Sequence, residues 1–165
     1  MGVANFEPTI VAGNMERFTS RLLHSQVQGV LATWCAMNKR PATHLMAFGC
    51  RSDLTHVFLA TSLNTVKAQN MQMCPAVSML WDDRTGKLSD HGDGGLVTAR
   101  ATARILRGDV SSEARKLFLL ANPNMVAFVH DASTAMFELK IEEYSVVVGY
   151  GESQQWSPTH GAASL

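Results

Sequence analysis

The sequence is poor in charge. Asp, Glu, Lys and Arg make up 17% of its 165 residues, and fourteen basic side chains are matched by fourteen acidic ones. An average globular chain carries about 25%. A neutral balance argues against the basic footprint of a nucleic-acid-binding domain and gives no basic face for a membrane surface. Cysteine is equally scarce. Cys35, Cys50 and Cys74 are odd in number, widely spaced and without a CxxC pair, so no disulfide framework is expected. With no secretory apolar segment near the start, the expected compartment is the reducing cytoplasm. No run approaches the ~18 apolar residues of a membrane helix.

Several catalytic signatures are also missing. The histidines at 24, 44, 56, 91, 130 and 160 show neither zinc-finger nor HExxH spacing, and no metal site is expected. Asp90-His91-Gly92-Asp93 is read as a solvated turn rather than a cation loop. Asp83-Arg84-Thr85-Gly86-Lys87 ends in Gly-Lys but lacks the other parts of a phosphate loop. No GxSxG supports a hydrolase nucleophile. No protein acid or base stands out, so no catalytic residue is named.

What the chain does have is apolar: 46% of residues, nine of them Met. The length suits one domain, residues 1–165, with a core over 14–151 and a polar tail over 152–165. A helix is expected from Asn14, with Met15, Phe18, Leu22 and Val27 on one stripe and Gly29 as its end. Short strands follow over 30–36 and 43–48, read as a hairpin about a turn at 38–41, and over 55–61. A helix over 64–73 stops at Cys74-Pro75. Strand 76–81 leads to a long polar connection, 82–95, expected to be mobile or functional. Val97, Ala99, Ala101, Ala103 and Ile105 alternate with Thr98, Arg100, Thr102 and Arg104 in a fifth strand. A helix over 109–122 with Ser111 as a candidate cap precedes strands over 135–141 and 144–150. From Ser153 the tail is expected to lack regular structure apart from its Trp156. Consecutive short strands with inserted helices favour an antiparallel barrel with peripheral helices, an α+β arrangement, over a doubly wound sheet.

One stretch concentrates the chemistry: Thr61-Ser62-Leu63-Asn64-Thr65-Val66-Lys67, where a strand runs into a helix. Asn64 is read as the N-cap. Lys67 then stands in the first turn, where the helix dipole disfavours a cation. A hydroxyl, an ammonium and free helix amides make a phosphate-sized site. If the second and third strands also pair, His44-Leu45-Met46-Ala47 lie beside 60–62, and a planar ligand could stack along 44–47 with its phosphate at Thr65 and Lys67.

In order and spacing, Gly29-Val30-Leu31-Ala32-Thr33, Pro41, Phe58-Leu59-Ala60-Thr61, Thr65-x-Lys67, Cys74-Pro75-Ala76-Val77-Ser78 and the strand from Val97 to Leu106 resemble the pyridoxamine 5'-phosphate oxidase-like, FMN-binding split-barrel proteins. The resemblance implies a six-stranded antiparallel split barrel, homodimeric, with FMN between subunits. It implies a flavin-dependent oxidoreductase acting with a small-molecule electron donor or acceptor. It places Thr61 and Ser62 near the flavin and ribityl chain, Thr65 and Lys67 on the phosphate, with Asn64 at the same junction, and 44–47 behind the ring. Trp81, Arg100 and Trp156 are candidates for contacts from the partner subunit. Val66 stands where relatives often carry a second basic residue. The true oxidases grip substrate phosphate with C-terminal arginines, and this chain has none after Arg115. Pyridoxamine-phosphate oxidation is therefore not expected. The alternatives are haem binding on the same fold, with His44, His130 or His160 as axial ligand, and a non-catalytic flavin-binding dimer. Val148-Gly149-Tyr150-Gly151-Glu152 resembles the haem-utilisation branch.

Overall fold

A computed structural model describes residues 12–159. Helix α1 (Ala12–Ser25) leads into strands β1 (Gln28–Cys35), β2 (Arg40–Ala47), β3 (Gly49–Cys50) and β4 (His56–Ser62). Helix α2 (Val66–Met73), strand β5 (Ala76–Asp82), a short turn of helix α3 (Asp90–Asp93) and strand β6 (Gly95–Ile105) follow. Helices α4 (Val110–Ala121) and α5 (Val126–His130) precede the long strand β7 (Thr134–Val148) and the short β8 (Gln154–Trp156). All pairings are antiparallel, in the order β2-β1-β5-β6-β7-β4-β3, with β8 on the free stretch of β7. The antiparallel split barrel with peripheral helices is the architecture expected, built from eight strands rather than six.

The closure is where the expectation needs correcting. β2 does not form a hairpin with β4. Residues 44–47 pair with β1, Ala47 opposite Gln28 and His44 opposite Leu31, while Ala60–Ser62 pair with Thr134–Met136 of β7. After Phe48 the same strand changes partners, and Gly49 and Cys50 pair with Phe58 and Val57. One nearly continuous run of chain therefore serves both ends of the sheet. Between them, Cα atoms of β2 and β4 approach within 8 Å with no ladder bonds. That seam is the split. A β-rich run cannot announce its partner from alternation alone, because the side-chain period of two is the same whichever neighbour it takes.

The barrel interior is filled by Leu31, Met46, Phe48, Val57, Leu59, Met79, Trp81, Phe137 and Leu139. Phe48 meets the Trp81 ring edge-on at 5.4 Å between centroids. Gly29 belongs to β1 and does not end α1, because a Cβ there would stand 2.5 Å from Trp81 Nε1. A second cluster, Phe58, Ala60, Leu106, Phe118 and Met136, lies on the other side of β4 and β7 under α4. α1 buries Met15, Leu22 and Leu23, whereas Val27 falls beyond the helix and is exposed. The two expected C-terminal strands are one: β7 runs through, with a bulge where Arg100 faces Glu143 and Ala101 faces Ile141.

Two segments outside the barrel are tied by side-chain contacts. The 82–95 connection is tied around Asp90, whose carboxylate accepts from Thr85 N, Thr85 Oγ1 and Gly86 N at 2.7–2.8 Å. These bonds, led by the Thr85 hydroxyl, hold the Asp90 pKa below the usual carboxylate value. The tail, expected to lack regular structure, forms β8 over Gln154–Trp156. Trp156 stacks on Tyr144 at 5.0 Å and donates from Nε1 to Thr19 Oγ1 at 3.2 Å, fastening α1 to β7. Ser111 is not the cap of α4; its hydroxyl donates to the Gly108 carbonyl from within the first turn.

Candidate functional site

The strand-to-helix junction forms as expected, one residue later. α2 begins at Val66 with Thr65, not Asn64, as the N-cap. Asn64 stands one residue before the cap, its backbone N–H donating to Ser62 Oγ at 3.4 Å inside the turn. Thr65 Oγ1 accepts from Ala68 N at 3.3 Å and donates its proton to the Ser62 carbonyl at 2.8 Å. With that proton committed, the contact with Thr61 Oγ1 at 3.1 Å has Thr61 as donor. Both threonine hydroxyls are thus engaged inside the junction. The groups left without partners at the junction, among the described residues, are the amides of Val66 and Lys67, which precede the first intrahelical bond, and the Lys67 ammonium. Lys67 is half-buried and forms no ion pair among the described residues.

The split brings His44 to this point. β2 is bonded on one side only, so its backbone groups toward the seam are free. His44 and Met46 share the inward face of β2. Leu45, 64% exposed, points to the opposite, outer face, and Ala47 packs against the α4 cluster. Burial first, and then the charge of Lys67, lower the His44 pKa from its ordinary value. α2 is fixed over β1 by a buried bond from Asn70 Nδ2 to Thr33 Oγ1 at 2.9 Å, and Thr33 Oγ1 lies 3.2 Å from His44 Nε2. Thr33 and Asn70 were not singled out from the sequence; their only signal is that a polar residue stands at an inward position of each element.

Free amides, an unpaired ammonium and a half-buried imidazole beside an edge strand make a donor set that fits the phosphate of a nucleotide cofactor. His44 and Lys67 come together here, whereas Met46, on the same face of β2, is buried in the core. Other expected contacts do not join them within one chain. The Trp81 ring is inside the barrel, 1% exposed, with Nε1 unpartnered. Arg100 stands on the outer face paired to Glu143 at 3.2 Å. It borders a hollow of about 460 Å³ with Ala32, Trp34 and Ser78. Trp156 is held in its stack on Tyr144.

The Cys50 thiol is no ready nucleophile, because burial pushes its pKa up to about 11. Among the described residues no group of three or more His, Cys, Asp or Glu side chains is placed to hold a metal, and no helix is long and apolar enough to cross a membrane. His160 lies outside the described residues.

No family model matches the sequence, and no curated protein sequence matches it. Solved structures do match its fold. A heme binding protein from Mycobacterium smegmatis superposes with a TM-score of 0.78 at 18% identity, over 90% of this chain and 60% of that one. A protein from Clostridium acetobutylicum related to general stress protein 26, of the pyridoxinephosphate oxidase family, gives 0.68 at 12% identity, over 89% and 96%. HutZ, the heme storage protein of Vibrio cholerae, gives 0.61 at 16% identity, over 81% and 93%. The chain spans about three-fifths of the Mycobacterium protein's length. It has the split-barrel fold that pyridoxine-phosphate-oxidase-type and haem-binding proteins share.

Proposed function

We propose that the chain is a cytoplasmic FMN-binding protein, an oxidoreductase working with a small-molecule electron donor or acceptor, and that it acts as a homodimer. The observation that carries the reading is Lys67. A half-buried lysine with no ion pair among the described residues, in the first turn of α2 beside two free amides, sits against the helix dipole and is favoured when an anion joins it. Bound flavin supplies hydride or electron transfer. The chain's own work is to anchor the phosphate through Lys67 and the Val66 and Lys67 amides, and to back the ring with the free edge of β2.

The dimer is supported by the outer face of the sheet. Leu45, Val30 and Leu80 stand opposite one another across β2, β1 and β5, with Trp34 43% exposed nearby. An apolar row on an unpartnered sheet face is where a second copy would pack. Relatives of this fold bind haem, so the deciding experiment is the visible spectrum of purified protein. Flavin bands, with FMN released on denaturation, support the proposal. A Soret band, or colourless protein that takes up no added FMN, overturns it.

A further inference from the structure

The tautomer of His44 is set by the atoms behind it. Asn70 is on the inner side of α2, 3% exposed, and its Nδ2 points at Thr33 Oγ1. An amide nitrogen only donates, so the hydroxyl oxygen is the acceptor in that bond. Thr33 is also 3% exposed, and His44 Nε2 is its one other side-chain hydrogen-bond neighbour among the described residues. A buried hydroxyl with a single acceptor in reach gives its proton to that acceptor. Nε2 is then the nitrogen bearing the lone pair, and a neutral imidazole must carry its hydrogen on Nδ1. Nδ1 has no partner among the described residues.

We propose that the chain Asn70–Thr33–His44 locks His44 as the Nδ1–H tautomer, so that the ring is a hydrogen-bond donor which selects ligands presenting a carbonyl or imine-nitrogen acceptor at the β2 edge. Asn70 and Thr33 are positioning residues; His44 determines specificity. The acceptor class rests on the flavin reading above, whereas the tautomer does not. The Lys67 ammonium is the one charged group felt at the ring, and together with burial it keeps the neutral form in play near neutral pH.

The lock has a second consequence. Axial ligation of haem iron needs an imidazole lone pair, and at His44 the Nε2 pair is engaged by Thr33 while Nδ1 is protonated. His130 is arranged the other way. Its Nδ1 must donate to the Val126 carbonyl at 2.8 Å, which leaves the Nε2 lone pair available.

The test is a long-range proton–nitrogen correlation spectrum of the ¹⁵N-labelled, ligand-free protein, with His44 assigned by its loss in His44→Gln. The expected pattern is Nδ1–H for His44 in the native chain and in Thr33→Ser, which keeps the hydroxyl. Thr33→Val should lose that pattern and bind FMN roughly three- to tenfold more weakly, the worth of one hydrogen bond. An Nε2–H pattern in the native chain, as an inverted Asn70 amide would produce, overturns the proposal. So does a Thr33→Val spectrum unchanged at His44. Because the tautomer is read without ligand, failure to take up FMN counts against the cofactor reading alone.

Discussion

Asn122 Nδ2 donates to the backbone carbonyl of Phe48 at 2.8 Å, joining residues 74 positions apart. Phe48 is where the strand leaves β1 and takes up β4, so its carbonyl faces α4 rather than a strand. Asn122 also donates to the Phe118 carbonyl at 2.9 Å, ending α4 with the same amide. Asn122→Ala would leave a buried acceptor unpaired at the closure, which costs about 1–3 kcal/mol. Urea unfolding should show a lower midpoint with an unchanged slope. A midpoint equal to that of the native chain would mean the closure holds without this bond.

Lys67→Ala should weaken FMN by about 1.5–3 kcal/mol, the worth of a charge-assisted contact. Fluorescence titration at low and high salt would check it, since the native affinity should fall with salt and the variant's should fall less. An affinity equal to the native one would move the phosphate away from α2.

Leu45→Arg places a charge on the outer row, at an exposed position whose side chain the barrel core does not use. The circular dichroism spectrum should stay the same while size-exclusion chromatography with light scattering moves from dimer to monomer. A variant that remains dimeric would put the interface on another face.

His44 also predicts a pH dependence. Its folded pKa is lowered, by burial first and by Lys67 next, against about 6.5 when unfolded. Folding therefore favours the neutral ring. The contribution is fully present above about pH 6.5 and is lost as pH falls toward the folded value, where the unfolded chain binds the extra proton. Unfolding midpoints should drop more steeply below about pH 6.5 for the native chain than for His44→Gln. Parallel slopes would show that the ring titrates normally.

The strands, the helix after β4 and the alternation of β6 were readable because each leaves a local signature. Ala99, Ala101 and Ala103 face inward while Arg100 and Arg104 pair outward with Glu143 and Glu138. The junction at 61–67 was readable too, as a cap followed by a misplaced cation. The change of partner at Phe48 was not. Nothing in His44–Cys50 encodes that half the strand belongs to β1 and half to β4; that depends on pairing between distant segments. Thr33 and Asn70 were missed for a similar reason, since each is unremarked alone and acquires meaning only 37 residues from the other. Trp156, read from the sequence as a candidate contact in a polar tail, is fixed by Tyr144 and Thr19, from opposite ends of the described chain.

The order of the sheet also governs how the chain can be made. β4 is buried along Val57–Thr61, yet its long partner is β7, so a ribosome must deliver everything from α2 to α5 before that strand is covered. Contacts so far apart in sequence slow folding. Until β7 emerges, the nascent chain displays Val-Phe-Leu-Ala as an open apolar edge, the kind of surface that holding chaperones protect and that aggregation exploits. Overexpression should therefore favour slow translation and low temperature.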